Sequence, residues 1–139
     1  MDSTICSRCG AFPEDADHLL VGCTTAKNVW QHIWVWLKIS IWAQSSTVRE
    51  VLEGVQDQIR CKNWKKMVMV VTFATFWSIW RCRNEGIFNG NYIPTHKAAE
   101  MVKEETFIWM RNRYGPKVHI DFKILQEHYT DKITPPGQR

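Results

Sequence analysis

The longest largely apolar run in this chain, Met67 to Trp80, covers fourteen residues where about twenty are needed to cross a bilayer, so no membrane partner is expected. Several kinds of catalytic apparatus are also missing. There is no glycine-rich phosphate loop, no G-x-S-x-G nucleophile, no paired aspartates of a polymerase palm and no carboxylate set of a ribonuclease H. A free-standing enzyme is therefore not expected. No signal peptide precedes Cys6, and the cysteines number five, an odd count that fits a secreted disulfide framework badly. Thiols at Cys61 and Cys82, outside any motif, suit a reducing compartment, so an intracellular location, nucleus or cytoplasm, is expected. Disorder is excluded as well, because 45% hydrophobic residues and eight tryptophans in 139 residues suffice for one sizeable core. The net charge of +4 permits a nucleic acid or an acidic partner without requiring either.

What is present is concentrated near the N-terminus. Cys6, Cys9, His18 and Cys23 form the pattern C-x2-C-x8-H-x4-C. Two thiols separated by two residues can turn back onto one ion, and the later His and Cys complete the tetrahedron that Zn²⁺ takes in structural sites. The intervening segment has only Phe12, Leu19, Leu20 and Val21 as sizeable apolar side chains, too few to fold it by burial. A structural zinc supplies on the order of 10 kcal/mol at neutral pH, far more than such a cluster gives. Four protein ligands leave no position for an activated water, so the expected site is structural and not catalytic. A redox dithiol at Cys6 and Cys9 fits less well, because Gly10, Ala11, Phe12 and Pro13 make a poor helix after the first thiol. His32, His96, His119 and His128 have no cysteine at ligand spacing and read as surface or core residues.

Past Cys23 the pattern is helical. Thr24 or Thr25 can cap a helix bearing Val29, Trp30, Ile33, Trp34 and Leu37. Residues 40 to 46 read as a turn. Thr47 with Glu50 has the spacing of a capping box before Val48, Val51, Leu52, Val55 and Ile59. Residues 64 to 88 read as one long helix, with a strand at 67 to 73 as the alternative; Phe73, Trp77, Trp80, Asn84 and Ile87 recur at four, three, four and three, which predicts them on its inner face. Trp80 and Asn84 are accordingly expected to be buried and structural, and Arg83 to pair with an acid. Gly90 and Asn91 stop this helix. A fourth is expected from Thr95 to Tyr114 with Ala98, Met101, Val102, Phe107 and Met110 inside. The expected fold is all-α: a zinc knuckle over 1–25, about four helices packed as one bundle over 26–114, and an extension and loose tail over 115–139.

The ordered set Cys6-Ser7-Arg8-Cys9, His18-Leu19-Leu20, Cys23, Ala26 and Val29-Trp30, followed by Ile79-Trp80-Arg81-Cys82-Arg83-Asn84 and Phe88, resembles the zinc-binding region downstream of reverse transcriptases in plant non-long-terminal-repeat retrotransposons. The resemblance spans roughly residues 1 to 115, and the combination is more specific than the zinc spacing alone. It implies an accessory module in which Cys6, Cys9, His18 and Cys23 hold zinc and the element contacts RNA or template, with polymerase activity in other domains.

For contact with RNA or single-stranded DNA the candidates are Arg8, Lys27, Arg60, Lys62, Lys65, Lys66 and Arg81, with Trp42 and Trp64 as stacking faces. The acids Glu14, Asp15 and Asp17 in the zinc loop oppose phosphate binding there. The alternative is a protein-interaction module that uses a tryptophan-rich helix face. One contiguous basic face would favour nucleic acid; scattered cations beside an exposed aromatic patch would favour a protein.

Overall fold

The computed structural model describes residues 5–39, 45–58 and 62–114. Trp42, Ile59, Arg60, Cys61, most of the expected turn at 40–46 and the expected extension at 115–139 lie outside them. The described residues form an all-α fold: a π-helical turn His18–Gly22, then α1 (Thr24–Leu37), α2 (Val48–Gln58), α3 (Lys62–Asn89) and α4 (Thr95–Tyr114). None of these helices is long and apolar enough to cross a membrane.

Helix α1 packs where its sequence pattern places it, with Val29, Trp30, Ile33, Trp34 and Leu37 all buried. Its N-cap is Cys23, in extended backbone and without a side-chain cap bond, so the expected threonine caps are already inside the helix. Lys38 ends it in the left-handed conformation at φ 61°, which lets the Ile39 N–H reach back to the Trp34 carbonyl at 3.0 Å. Helix α2 opens on the expected capping box. The Thr47 Oγ1 accepts from the Glu50 N–H at 3.1 Å, while the Glu50 carboxylate accepts from the Thr47 N–H at 3.0 Å. The Ser46 N–H also donates to that carboxylate, and these bonds, Ser46 first, hold the Glu50 carboxyl below its ordinary range.

Helices α3 and α4 form the bundle's main contact, joined through residues 90–94 with Gly90 at φ 67°. Continuous helix over Lys62–Asn89 rules out the strand alternative at 67–73. On α4, Ala98, Val102 and Met110 are buried and Met101 and Phe107 partly so. The inner face of α3 is a different matter. Buried there are Val68, Val71, Ala74, Thr75, Ser78, Ile79, Cys82 and Gly86, whereas Phe73, Trp77, Trp80 and Ile87 are 47%, 41%, 43% and 40% exposed. The expected orientation is thus overturned. Both faces of α3 repeat at helical spacing, but the small and β-branched one lets α1 and α4 approach closely, and a row of tryptophans would hold them apart. The threonines this buries are satisfied locally: Thr72 and Thr75 donate to the carbonyls of Val68 and Val71 at 2.8 and 2.7 Å, and Thr106 to that of Val102 at 2.8 Å. Their methyl groups then complete an apolar surface.

Cys6, Val21 and Cys23 belong to the same buried cluster as the helices. Trp30 ties the two parts together. Its indole N–H donates to the Leu20 carbonyl at 2.7 Å, and its rings stack on Trp34 at 5.0 Å and meet Phe76 edge-on at 5.2 Å.

The two faces of α3 make a direct prediction. Ile79→Ala, at a fully buried site, should cost about 2 to 5 kcal/mol in urea denaturation. Trp80→Ala, one residue on, should cost about 1 kcal/mol through its lost stacking on Trp77. Equal large losses would place Trp80 in the core.

Candidate metal centre

The first thiol pair sits on a tight loop. The Cys6 N–H donates to the Phe12 carbonyl at 2.8 Å, the Gly10 N–H to the Cys6 carbonyl at 2.9 Å, and Ile5 bridges Pro13. Gly10 turns this loop at φ 68°. An added Cβ there would meet nothing within 4 Å, so the glycine answers to backbone conformation and not to space. Ala11 and Phe12 then direct their N–H groups at the Cys9 sulfur. These bonds, Ala11 foremost, with His18 and Phe12 assisting, bring the Cys9 thiol down to about 6. Burial acts oppositely on Cys6 and raises its thiol.

The second pair depends on the π-helical turn. The Cys23 N–H closes on the His18 carbonyl at 2.7 Å, five residues back. On an α-helix, residues five apart point about 140° from one another. Widening the turn brings the fifth residue back above the first, so His18 and Cys23 face one centre. Asp15 starts the turn by accepting the His18 N–H at 2.8 Å.

The four side chains converge. One ligand atom from each of Cys6, Cys9, His18 and Cys23 lies within 4.8 Å of all the others. The Cys6 and Cys23 sulfurs are 3.8 Å apart, and the Cys9 sulfur is 3.2 Å from His18 Nε2. Sulfurs held about 2.3 Å from an ion at tetrahedral angles stand about 3.8 Å from each other, so the Cys6–Cys23 edge already has the required length. Three thiolates and an imidazole can therefore hold a metal ion with every position taken by protein. Cys6 and Cys23 are buried, Cys9 and His18 half-buried.

Each acid of the loop has a structural partner, which sequence reading did not foresee. Asp17 accepts the Val48 N–H at 2.9 Å, placing its charge at the N-terminus of α2. Glu14 pairs with Arg83 on α3: the Arg83 Nε donates to one carboxylate oxygen at 3.3 Å and an Nη to the other, in bidentate geometry. The remaining Arg83 nitrogen donates to Asn84 Oδ1 at 2.9 Å. The expectation that Arg83 pairs with an acid is met. Asn84 is half-buried and bonded to this guanidinium, where a buried residue was expected. The Asp15–His18 spacing is a readable cap signal, whereas nothing local connects Glu14 to Arg83, 69 residues away.

The cations expected to contact nucleic acid are not brought together. Arg8 is half-buried, its Nη1 sealed from solvent without a partner, and close enough to Cys82 to oppose the burial that raises that thiol. Lys27 is exposed on α1, on the side of Glu50. Lys62 and Lys66 are exposed and Lys65 half-buried at the start of α3. Arg81 lies fifteen residues beyond Lys66, about 22 Å along the helix, in an ion pair with Glu105 at 3.2 Å. Arg60 is outside the described residues. Trp64 is partly buried against the core. Comparison with known protein families, with characterised proteins and with solved structures gives no match.

This geometry makes three predictions. Protein purified under reducing conditions should carry about one metal ion per chain by elemental analysis, and Cys23→Ser should lose it. Because the Cys9 thiol sits below its ordinary value of 9.0, at about 6, its thiolate is favoured in the folded chain above pH 6. Protons compete with the metal for that thiolate below pH 6, so the apparent metal affinity should fall more steeply with pH there than above it; the same slope on both sides would exclude Cys9 as a ligand. For the latch, Arg83→Met should cost about 2 kcal/mol, since it leaves Glu14 half-buried and unpaired. A double-mutant cycle with Glu14→Gln should show that most of this loss is shared between the two positions.

Proposed function

We propose that this protein is a non-catalytic, zinc-held module that displays one face of α3 to a protein partner. The observation that carries the reading is the exposed row Phe73, Trp77, Trp80, Ile87 and Phe88 on the longest helix, with Phe88 73% exposed. Aromatic residues of this size leave roughly 500 Å² of apolar surface in water, at the upper end of what a monomer's largest patch reaches. The distribution of cations supports the same choice. Arg81 and Arg83 are committed to Glu105 and Glu14, and the lysines at the start of α3 stand apart from both, so among the described residues no long basic track follows the surface.

Zinc is the metal that suits three thiolates and one imidazole in a closed tetrahedral set, and its role here is to order the loop. The likeness to the zinc-binding region downstream of retrotransposon reverse transcriptases supports an accessory role. The two stretches that carry it, the metal loop and Ile79 to Asn84, are joined by the Glu14–Arg83 pair. In this reading the module derives from such a region and works by display.

The test separates protein from nucleic acid. A labelled single-stranded RNA of about twenty nucleotides should bind weakly at 0.15 M salt, and replacing Lys62, Lys65 and Lys66 together with Gln should change little. Tight binding whose salt slope falls by about 0.7 per lysine removed would overturn the reading in favour of an RNA-contacting module. Zinc, and not iron, should be the ion recovered at one per chain.

A further inference from the structure

Resting on the zinc-held reading, we infer that the ligand cluster is also the reaction site for a hydroperoxide, which joins Cys6 to Cys23 as a disulfide and takes the metal's ligands away. The three thiols of the cluster are not equivalent. Cys9 is half-buried on the loop that Gly10 turns, whereas Cys6 and Cys23 are 1% and 0% exposed, so an oxidant arriving from solvent meets Cys9 first. Two more sulfurs stand behind it. All four ligand atoms lie within 4.8 Å of one another, which puts a resolving thiolate beside an oxidised Cys9. The final bridge is decided by the fold, because Cys6 and Cys23 both belong to the buried core and are fixed there by backbone bonds. The Cys6 N–H donates to the Phe12 carbonyl at 2.8 Å, and the Cys23 N–H to the His18 carbonyl at 2.7 Å. Their sulfurs, 3.8 Å apart, need to close by only about 1.8 Å to bond, which small side-chain rotations supply.

The chemistry runs in three steps. The Cys9 thiolate attacks one oxygen of the peroxide and the O–O bond breaks; the other oxygen takes a proton and leaves as water or an alcohol, and Cys9 becomes a sulfenic acid. The Cys6 thiolate then attacks the Cys9 sulfur, whose oxygen leaves as water with a second proton, and a Cys6–Cys9 bridge forms. Finally the Cys23 thiolate attacks the Cys6 sulfur and displaces the Cys9 thiolate. Two thiolates have lost two electrons, and the peroxide with two protons has accepted them. Cys9 and His18 alone remain as ligands, too few to hold the ion. The Cys6–Cys23 bridge now closes the loop in its place, since a cross-link between its ends restricts the unfolded chain. The arc from Cys9 to His18 loses its inner tie while the bundle stays folded, and Glu14 lies in that arc, so oxidation reaches Arg83 on α3.

The experiment uses the full chain, purified under reducing conditions, loaded with zinc and then freed of reductant. Hydrogen peroxide in small excess should release about one zinc per chain to a chromogenic chelator, and the mass of the denatured chain should fall by about 2 Da for the two hydrogens lost. Trypsin together with a protease that cuts before aspartate places Cys6, Cys9 and Cys23 in separate peptides, and the bridge should join those of Cys6 and Cys23. Dithiothreitol with added zinc should restore both mass and metal content. Cys61→Ser with Cys82→Ser, which removes the two thiols outside the cluster, should leave the release unchanged. The oxidised chain should melt at least about 5 °C above the reduced chain kept metal-free by a chelator. Zinc retained through peroxide treatment would overturn the inference, as would a stable bridge to any other cysteine, a sulfinic acid at Cys9 without a bridge, or a melting point no higher than that of the reduced metal-free chain. A reduced chain that carries no metal before any oxidant is added defeats the zinc-held reading instead, so the two failures are distinguishable.

Discussion

Eighteen residues from Cys6 to Cys23 with four sizeable apolar side chains cannot hold a shape by burial, so their geometry depends on four side chains meeting at one point. Much else in the fold serves that meeting. The left-handed Gly10, the wide turn that folds Cys23 back over His18, and the Asp15 cap each remove a degree of freedom that would scatter the ligands. The bundle then grips the loop from outside. Trp30 holds the Leu20 carbonyl, α2 presents the Val48 N–H to Asp17, and Arg83 clasps Glu14. These contacts come from three different helices, so the ligand cluster and the bundle support each other.

The same grip connects the metal loop to the exposed face of α3. Arg83 has the Glu14 carboxylate on one side and Asn84 on the other, and Asn84 lies in the row with Trp77 and Trp80. The loop thereby bears on the position of the one polar group in an otherwise apolar strip. Acids that read in sequence as a barrier to phosphate are structural ties, each bonded to a backbone N–H or a guanidinium. That arrangement leaves the loop with little free charge to offer any partner, and it moves attention from the knuckle to the helix beside it.

Much was legible without a structure, and for identifiable reasons. Cys6, Cys9, His18 and Cys23 announce themselves because metal ligands must recur at spacings a short loop can close. Thr47 and Glu50 announce a helix start because a capping box is local chemistry, and α1 is legible because only one of its faces is apolar. The start of α4 at Thr95 is legible from the Gly90–Asn91 break before it. In α3 periodicity runs out: residues 68, 71, 75, 78, 82 and 86 and residues 73, 77, 80, 84 and 87 repeat equally well, and the larger side chains drew the wrong conclusion.

The sequence by itself determined the candidate ligand set, legible from a spacing pattern over eighteen residues, and the number of helices and most of their limits, which rest on interactions spanning five residues or fewer. Only the tertiary structure decided which side of α3 lies inside, because that choice depends on how closely α1 and α4 can approach it, and close approach favours Ala74, Thr75 and Ser78 over Trp77 and Trp80. It alone decided that Arg83 belongs to Glu14 and Arg81 to Glu105. Pairs 69 and 24 residues apart leave no mark in a local pattern; they exist because packing brings distant turns of the chain within hydrogen-bonding reach.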